Sequence, residues 1–298
     1  MTKIVQCVPN FSVGSDEAVL KGLADIAQSV AGCTLLDYSG DKSHNRSVYT
    51  LVGSPEACAE AAFAMAKFAQ EKIDLTKHEG EHPRMGATDV IPFVPIKNIS
   101  MEECVELAKK VGERLATELD IPVFLYEEAA TASNRKNLAT VRKGQFEGMA
   151  EKLQKPEWKP DFGSTSPHPT AGVTAVCARR PLIAFNVNLS TNNVDIANNI
   201  AKAIRGSSGG LKHVKGIGIY IEERDMAQVS MNLVDYQTNS LYRVVEFIRM
   251  EAKRYGVQVI GSELIGIAPA RALIESAEYY LQLENFDFEN QVLENALL

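Results

Sequence analysis

The chain has 298 residues, 45% of them apolar and 23% charged, with a formal net charge of -7. That composition excludes disordered, collagenous and fibrous chains, and the length is enough to bury a full core without disulfides or a structural metal. An acidic chain with no basic run argues against nucleic acid and membrane surfaces as partners, and five scattered cysteines with no Cys-x-x-Cys pair, no signal segment and no long apolar run point to a reduced, cytoplasmic protein.

Residues 3–9 read as a strand, and residues 15–31 place Leu20, Leu23, Ile26 and Val30 on one helical face. Strands follow at 33–38 and 46–53. Ser54-Pro55-Glu56 then opens an alanine-rich helix with a cap residue, a first-turn proline and an early acid. Residues 89–95 read as extended, and Ser100 with Glu103 forms a capping box for the next helix. A strand at 121–126 and a helix at 144–154 lead into residues 155–172, a Pro-, Ser- and Gly-rich stretch that is either a long ordered loop or a linker. Residues 173–189 read as one strand, or as two turning at Arg179-Arg180-Pro181. A helix at 191–205, strands at 214–222 and 227–234, a helix at 240–255, a short strand at 257–260 and two terminal helical stretches complete the chain.

Each half therefore reads β-α-β-β-α-β, and Asn10-Phe11-Ser12 in one is echoed by Asn188-Leu189-Ser190 in the other. The expected fold is α+β: two ferredoxin-like subdomains, 1–178 and 179–298, with a ligand cleft between their sheets. No glycine-rich fingerprint follows the first strand, which disfavours a dinucleotide fold.

The chemistry concentrates in residues 77–89 (KHEGEHPRMGATD), a polar loop punctuated by glycine and proline. It contains a literal His-Glu-x-x-His: His78, Glu79 and His82. A zinc hydrolase needs that pattern on a helix, yet Gly80 interrupts it and Pro83 drives His82 out of helical geometry. Gly206-Ser207-Ser208-Gly209-Gly210 matches a nucleophile elbow in letters only, since a helix precedes it and a strand follows; Lys212 and Lys215 make it a mildly basic loop. His82 is the leading acid–base candidate. Glu79, Glu81 and Asp89 are placed to orient its ring or raise its pKa, and Arg84 is placed to bind a carboxylate. Residues 37–46 (DYSGDKSHNR) form a second polar loop with Asp37, Asp41 and His44.

Val8-Pro9-Asn10-Phe11-Ser12, residues 41–48 (DKSHNRSV), 81–89 (EHPRMGATD), 182–189 (LIAFNVNL), 226–230 (MAQVS) and 259–266 (VIGSELIG) together resemble the glutamate formiminotransferase family over essentially the whole chain. The resemblance implies transfer of a formimino group between N-formimidoyl-L-glutamate and tetrahydrofolate, a step of histidine degradation that feeds one-carbon metabolism. Tetrahydrofolate then acts as a substrate, no metal takes part, and the protein is a homodimer. The family's acid–base histidine falls on His82. Its folate-contacting stretch falls on Gly163, Ser164, Thr165, Ser166, Pro167, His168, Pro169, Thr170, Ala171 and Gly172. Asp37 or Asp41 would stabilise an amidinium-like charge, and Arg84, Lys212 and Lys215 would hold substrate carboxylates. Some relatives carry a cyclodeaminase domain as well; nothing follows Leu298 here, so transfer without deamination is expected. Formyl transfer between glutamate and tetrahydrofolate, or a hydrolase built on His78, Glu79 and His82, are the alternatives.

Overall fold

A computed structural model describes residues 2–296, and the chain divides into two compact units between Arg179 and Arg180. In the first, Ile4–Cys7 (β1) and Asn10–Phe11 (β2) form one interrupted strand. Helix α1, Glu17–Ser29, begins where the Asp16 carboxylate accepts from the amides of Ala18 and Val19. Strands Cys33–Asp41 (β3) and Arg46–Gly53 (β4) form a hairpin. Pro55–Lys72 (α2) starts on the Ser54 cap. Thr88–Lys97 (β5) leads to Met101–Leu119 (α3), whose Ser100–Glu103 capping box is fully formed. Val123–Glu127 (β6), two short helices at Leu138–Arg142 (α4) and Gln145–Lys152 (α5), and Thr174–Ala178 (β7) complete the unit.

The sheet runs β3, β4, β1/β2, β5, β7, β6. Its first four positions pair antiparallel, whereas β5, β7 and β6 pair parallel. Helices α1 to α3 cover one face. Ala61, Ala62, Ala66 and Ala69 of α2 are fully buried, and the small side chains let this helix lie close to its neighbours. The parallel end has a second apolar layer on the opposite face, built from Met85, Val90, Phe124, Val141, Met149, Val173 and Cys177. Strands buried on both faces read as unbroken apolar runs, as Val123 to Tyr126 does.

Residues 155–172 are an ordered loop of this first unit, not a linker. Asp161 pairs with Arg135 at 2.7 Å, both side chains being under a tenth exposed. Val123 and Phe162 exchange backbone hydrogen bonds.

In the second unit the order is Ile183–Leu189 (β8), Val194–Ile204 (α6), Val214–Ile221 (β9), Met226–Leu233 (β10), Leu241–Arg254 (α7) and Val259–Ile265 (β11), followed by Ala270–Leu281 (α8) and Phe288–Gln291 (α9). The sheet runs β11, β8, β10, β9, all antiparallel. Val187, Leu189, Val229, Ile200, Val244 and Ile248 form its core. Residues 173–189 are thus two strands in two different sheets, not a hairpin. The strand expected at 257–260 runs on to Ile265, with a register shift before Gly261. No described helix is long and apolar enough to cross a membrane.

Candidate active site

Three polar segments of the first unit are laced together at the end of the sheet where α2 gives way to β5. In the first, the Asn45 amide donates to Glu79 O at 2.7 Å, and its Oδ1 accepts from Gly14 N at 2.8 Å. Glu81 N and His82 N donate to Ser43 O and His44 O. Ser12 Oγ donates to Gly86 O at 2.7 Å, and Ser12 N to Ala87 O. Residues 8–14, 41–48 and 78–89, far apart in sequence, therefore form one surface.

The segment Gly163–Gly172 joins it. His168 and Gly172 exchange backbone hydrogen bonds at 3.0 Å, closing a tight turn, and Ala87 N and Val173 N donate to Ala171 O and Met85 O. Gly172 has φ +68°, and a Cβ on it would lie 2.2 Å from Met85 O; one on Gly86 would lie 2.2 Å from Val173 O. Only glycines allow the two loops to approach this closely. The His168 ring shapes the turn: Nδ1 accepts from Ala171 N at 3.0 Å and Nε2 lies 3.0 Å from the Gln70 side-chain amide. Burial lowers its pKa. Ser164 Oγ donates to Ser166 O, and Gln154 donates to Thr165 O.

His82 stands among cations. Its Nε2 is 2.9 Å from Arg46 Nη1. A guanidinium can only donate, so Nε2 carries the lone pair and Nδ1 the hydrogen. Burial, then the charges of Arg46 and Arg142, push the His82 pKa down to about 3. The ring is therefore a neutral imidazole. This reverses the expectation that Glu79, Glu81 and Asp89 would raise its pKa. Glu79 and Glu81 are held through their backbones, and Asp89 spends its carboxylate elsewhere. Asp89 Oδ2 accepts from Arg142 Nη2 at 2.6 Å and Oδ1 from Met85 N at 2.9 Å. Burial pushes the Asp89 carboxyl up, against the pull of Arg142.

Arg142 closes α4, and its place is set by Lys152. The Lys152 ammonium donates to the carbonyls of Thr140, Val141 and Lys143 at the end of that helix and lies 3.9 Å from the Trp158 ring centroid. Burial pushes its pKa down to about 8.

Arg84 does not offer a carboxylate site. All five of its N–H groups have acceptors: Nε donates to His78 Nδ1, Nη1 to Gln145 and Glu147, and Nη2 to Glu147 and to His78 O. Its role is to tie the loop to α5. His78 Nε2 contacts Asn45 O at 3.0 Å, so both of its ring nitrogens are engaged within the loop. Residues 78–87 form no helix. The geometry that His-Glu-x-x-His hydrolysis requires is absent from this segment.

Asp41 lies opposite Arg46 in the β3–β4 ladder. It accepts from His44 N at 2.9 Å and pairs with the His44 ring at 3.0 Å, and these bonds hold its carboxyl below the usual range. Asp37 is exposed on β3 opposite Thr50, with no bond to the cluster among the described residues. Lys212 and Lys215 belong to the second unit. Arg46 and Arg142 are the residues sequence reasoning missed. Arg46 sat within a polar loop without an assigned role, and nothing local marks Arg142.

The first unit is thus a mixed α/β fold that sets a neutral, half-buried imidazole among arginines and loops without regular structure. The chain belongs to the formiminotransferase family: the model of the formiminotransferase domain, N-terminal subdomain, matches residues 4–179, and that of the formiminotransferase domain matches residues 184–296. It is similar to the glutamate formimidoyltransferase of Streptococcus pyogenes serotype M1, 63% identical over all of both chains. It is also similar to that of Thermoplasma acidophilum, 46% identical over 99% of this chain and 97% of the other. Against the formimidoyltransferase-cyclodeaminase of Gallus gallus it is 47% identical over 95% of its length, but spans 53% of that longer protein.

Proposed function

We propose that this chain transfers the formimino group between N-formimidoyl-L-glutamate and tetrahydrofolate, with His82 as the proton carrier. The observation that carries the reading is one neutral imidazole held in a loop, residues 78–89, that bonds to residues 8–14, 41–48 and 171–173, in a chain 63% identical to a glutamate formimidoyltransferase along its full length. N5 of tetrahydrofolate forms a bond to the formimino carbon, a tetrahedral intermediate forms, and the bond from that carbon to the glutamate nitrogen breaks. His82 takes the proton from N5 and returns it to the departing nitrogen. A neutral ring is the form that can accept it. Gly163–Gly172 line the folate side. Asp41 balances positive charge near Arg46. Holding both substrates together contributes at least as much as the proton transfer.

The two units are read as copies of one ferredoxin-like β-α-β-β-α-β motif. In each sheet the first strand lies between the third and fourth, and Asn10-Phe11-Ser12 and Asn188-Leu189-Ser190 close that first strand. The reading places the protein in histidine degradation and one-carbon metabolism, as a cytoplasmic homodimer; five free, buried cysteines fit a reducing compartment.

The test is direct. The purified, chelator-treated protein, incubated with N-formimidoyl-L-glutamate and tetrahydrofolate, should release glutamate and form 5-formimidoyltetrahydrofolate, followed by the folate spectrum. N-formyl-L-glutamate and N-formimidoylglycine should be poorer donors. Turnover of the formyl compound alone, or hydrolysis without folate, would replace the assignment.

A further inference from the structure

Arg84 and Arg142 are each paired with a carboxylate, Glu147 and Asp89 respectively. Arg46 has no ion pair among the described residues. Its one side-chain hydrogen bond among the described residues is to the lone pair of His82, a weak acceptor for a guanidinium. The Nε atoms of both Arg46 and Arg142 are buried and without partners, and Arg142 is near enough for the two like charges to act on each other. Asp89 and Asp41 act on Arg46 only through space, which leaves its guanidinium without a bonded carboxylate beside the candidate proton carrier. A half-buried cation left in this way calls for an anion.

We propose that Arg46 and Arg142 form a carboxylate subsite that takes the α-carboxylate of the N-formimidoyl amino acid, and that its arrival draws Arg46 off His82 Nε2. The proposal rests on the transferase reading above and adds to it the residues that hold the amino-acid substrate. The chemistry of the two substrates selects between them. In N-formimidoylglutamate the α-carboxylate is one carbon from the nitrogen that leaves. In tetrahydrofolate the glutamyl carboxylates lie beyond the aminobenzoyl ring, far from N5. An anion seated on an arginine that touches His82 must come from the substrate whose carboxylate adjoins the reacting atom. A carboxylate is the stronger acceptor for a guanidinium, so substrate binding exposes Nε2 at the moment a proton must be accepted.

The experiment compares N-formimidoyl-L-glutamate with N-formimidoyl-4-aminobutyrate, which lacks only the α-carboxylate, on the wild-type full chain and on Arg46→Gln and Arg142→Gln. Binding is measured by calorimetry without folate, and KM and kcat with it. The analogue should bind the wild type roughly 10- to 100-fold more weakly, as losing one or two hydrogen bonds to charged groups implies. Each variant should bind N-formimidoyl-L-glutamate more weakly by a similar factor, with the tetrahydrofolate dissociation constant within twofold. Equal binding of the two compounds by the wild type overturns the subsite, even if the variants fail to fold. So does an unchanged affinity in Arg46→Gln. A wild type that binds N-formimidoyl-L-glutamate with the expected selectivity but transfers nothing keeps the subsite and removes the transferase reading.

Discussion

Replacing His82 with alanine should lower kcat for formimino transfer by about 10²–10⁴, the range for a residue that moves a proton in the transition state. The tetrahydrofolate dissociation constant should change little, because Gly163–Gly172 are held by their own hydrogen bonds to Ala87 and Leu75. The fold should survive as well. Among the described residues the ring's one side-chain hydrogen bond is with Arg46, and the backbone bond to His44 O remains. Stopped-flow measurement of a single turnover separates the chemical step from binding. A variant whose single-turnover rate stays within threefold of wild type would remove His82 from the mechanism.

Asp89→Ala should cost stability on a comparable scale, about 3–5 kcal/mol, as breaking a buried ion pair from one side does. Asp89 is 1% exposed and serves two groups at once, the Arg142 guanidinium and Met85 N. Alanine leaves a buried cation and a buried amide without partners. Asp89→Asn keeps an acceptor for Met85 N and should lose less. Against a whole stability of roughly 5–15 kcal/mol, the alanine variant should unfold at a markedly lower urea concentration, read by circular dichroism. A midpoint equal to that of the wild type would show that the pair does not bear on folding.

Much of this was legible in the chain. Ser54-Pro55-Glu56 and Ser100 with Glu103 announced two helix starts that formed as read, because caps are local chemistry. The long strands and helices followed their periods. The short helix α4 did not announce itself: Leu138–Arg142 is five residues, too few for a period to stand out. Nothing local decided whether residues 173–189 are one strand or two, since partner choice is a long-range property. The site divided in the same way. The loop around His82 was conspicuous from its polarity, glycine and proline, and the resemblance singled out the segments that the fold joins. The charge around His82 was misread because its sequence neighbours, Glu79 and Glu81, are acids. Its spatial neighbours are Arg46 and Arg142, brought in by β4 and α4. Arg84 was misread similarly, since Gln145 and Glu147, which take up its donors, lie about sixty residues further along.

The central claim is that His82 enters the reaction as a neutral imidazole, and the pH dependence of kcat/KM tests it most directly, since that ratio reports groups of the free enzyme. With its pKa pushed down to about 3, His82 is already in its base form from pH 5 to pH 8. Over that range the wild type should show no acid limb near the ordinary histidine value of about 6.5. Arg46→Gln, which removes one of the charges holding the ring neutral, should move an acid limb upward towards it. A wild-type profile falling with unit slope below pH 6.5, and unmoved in Arg46→Gln, would contradict the account.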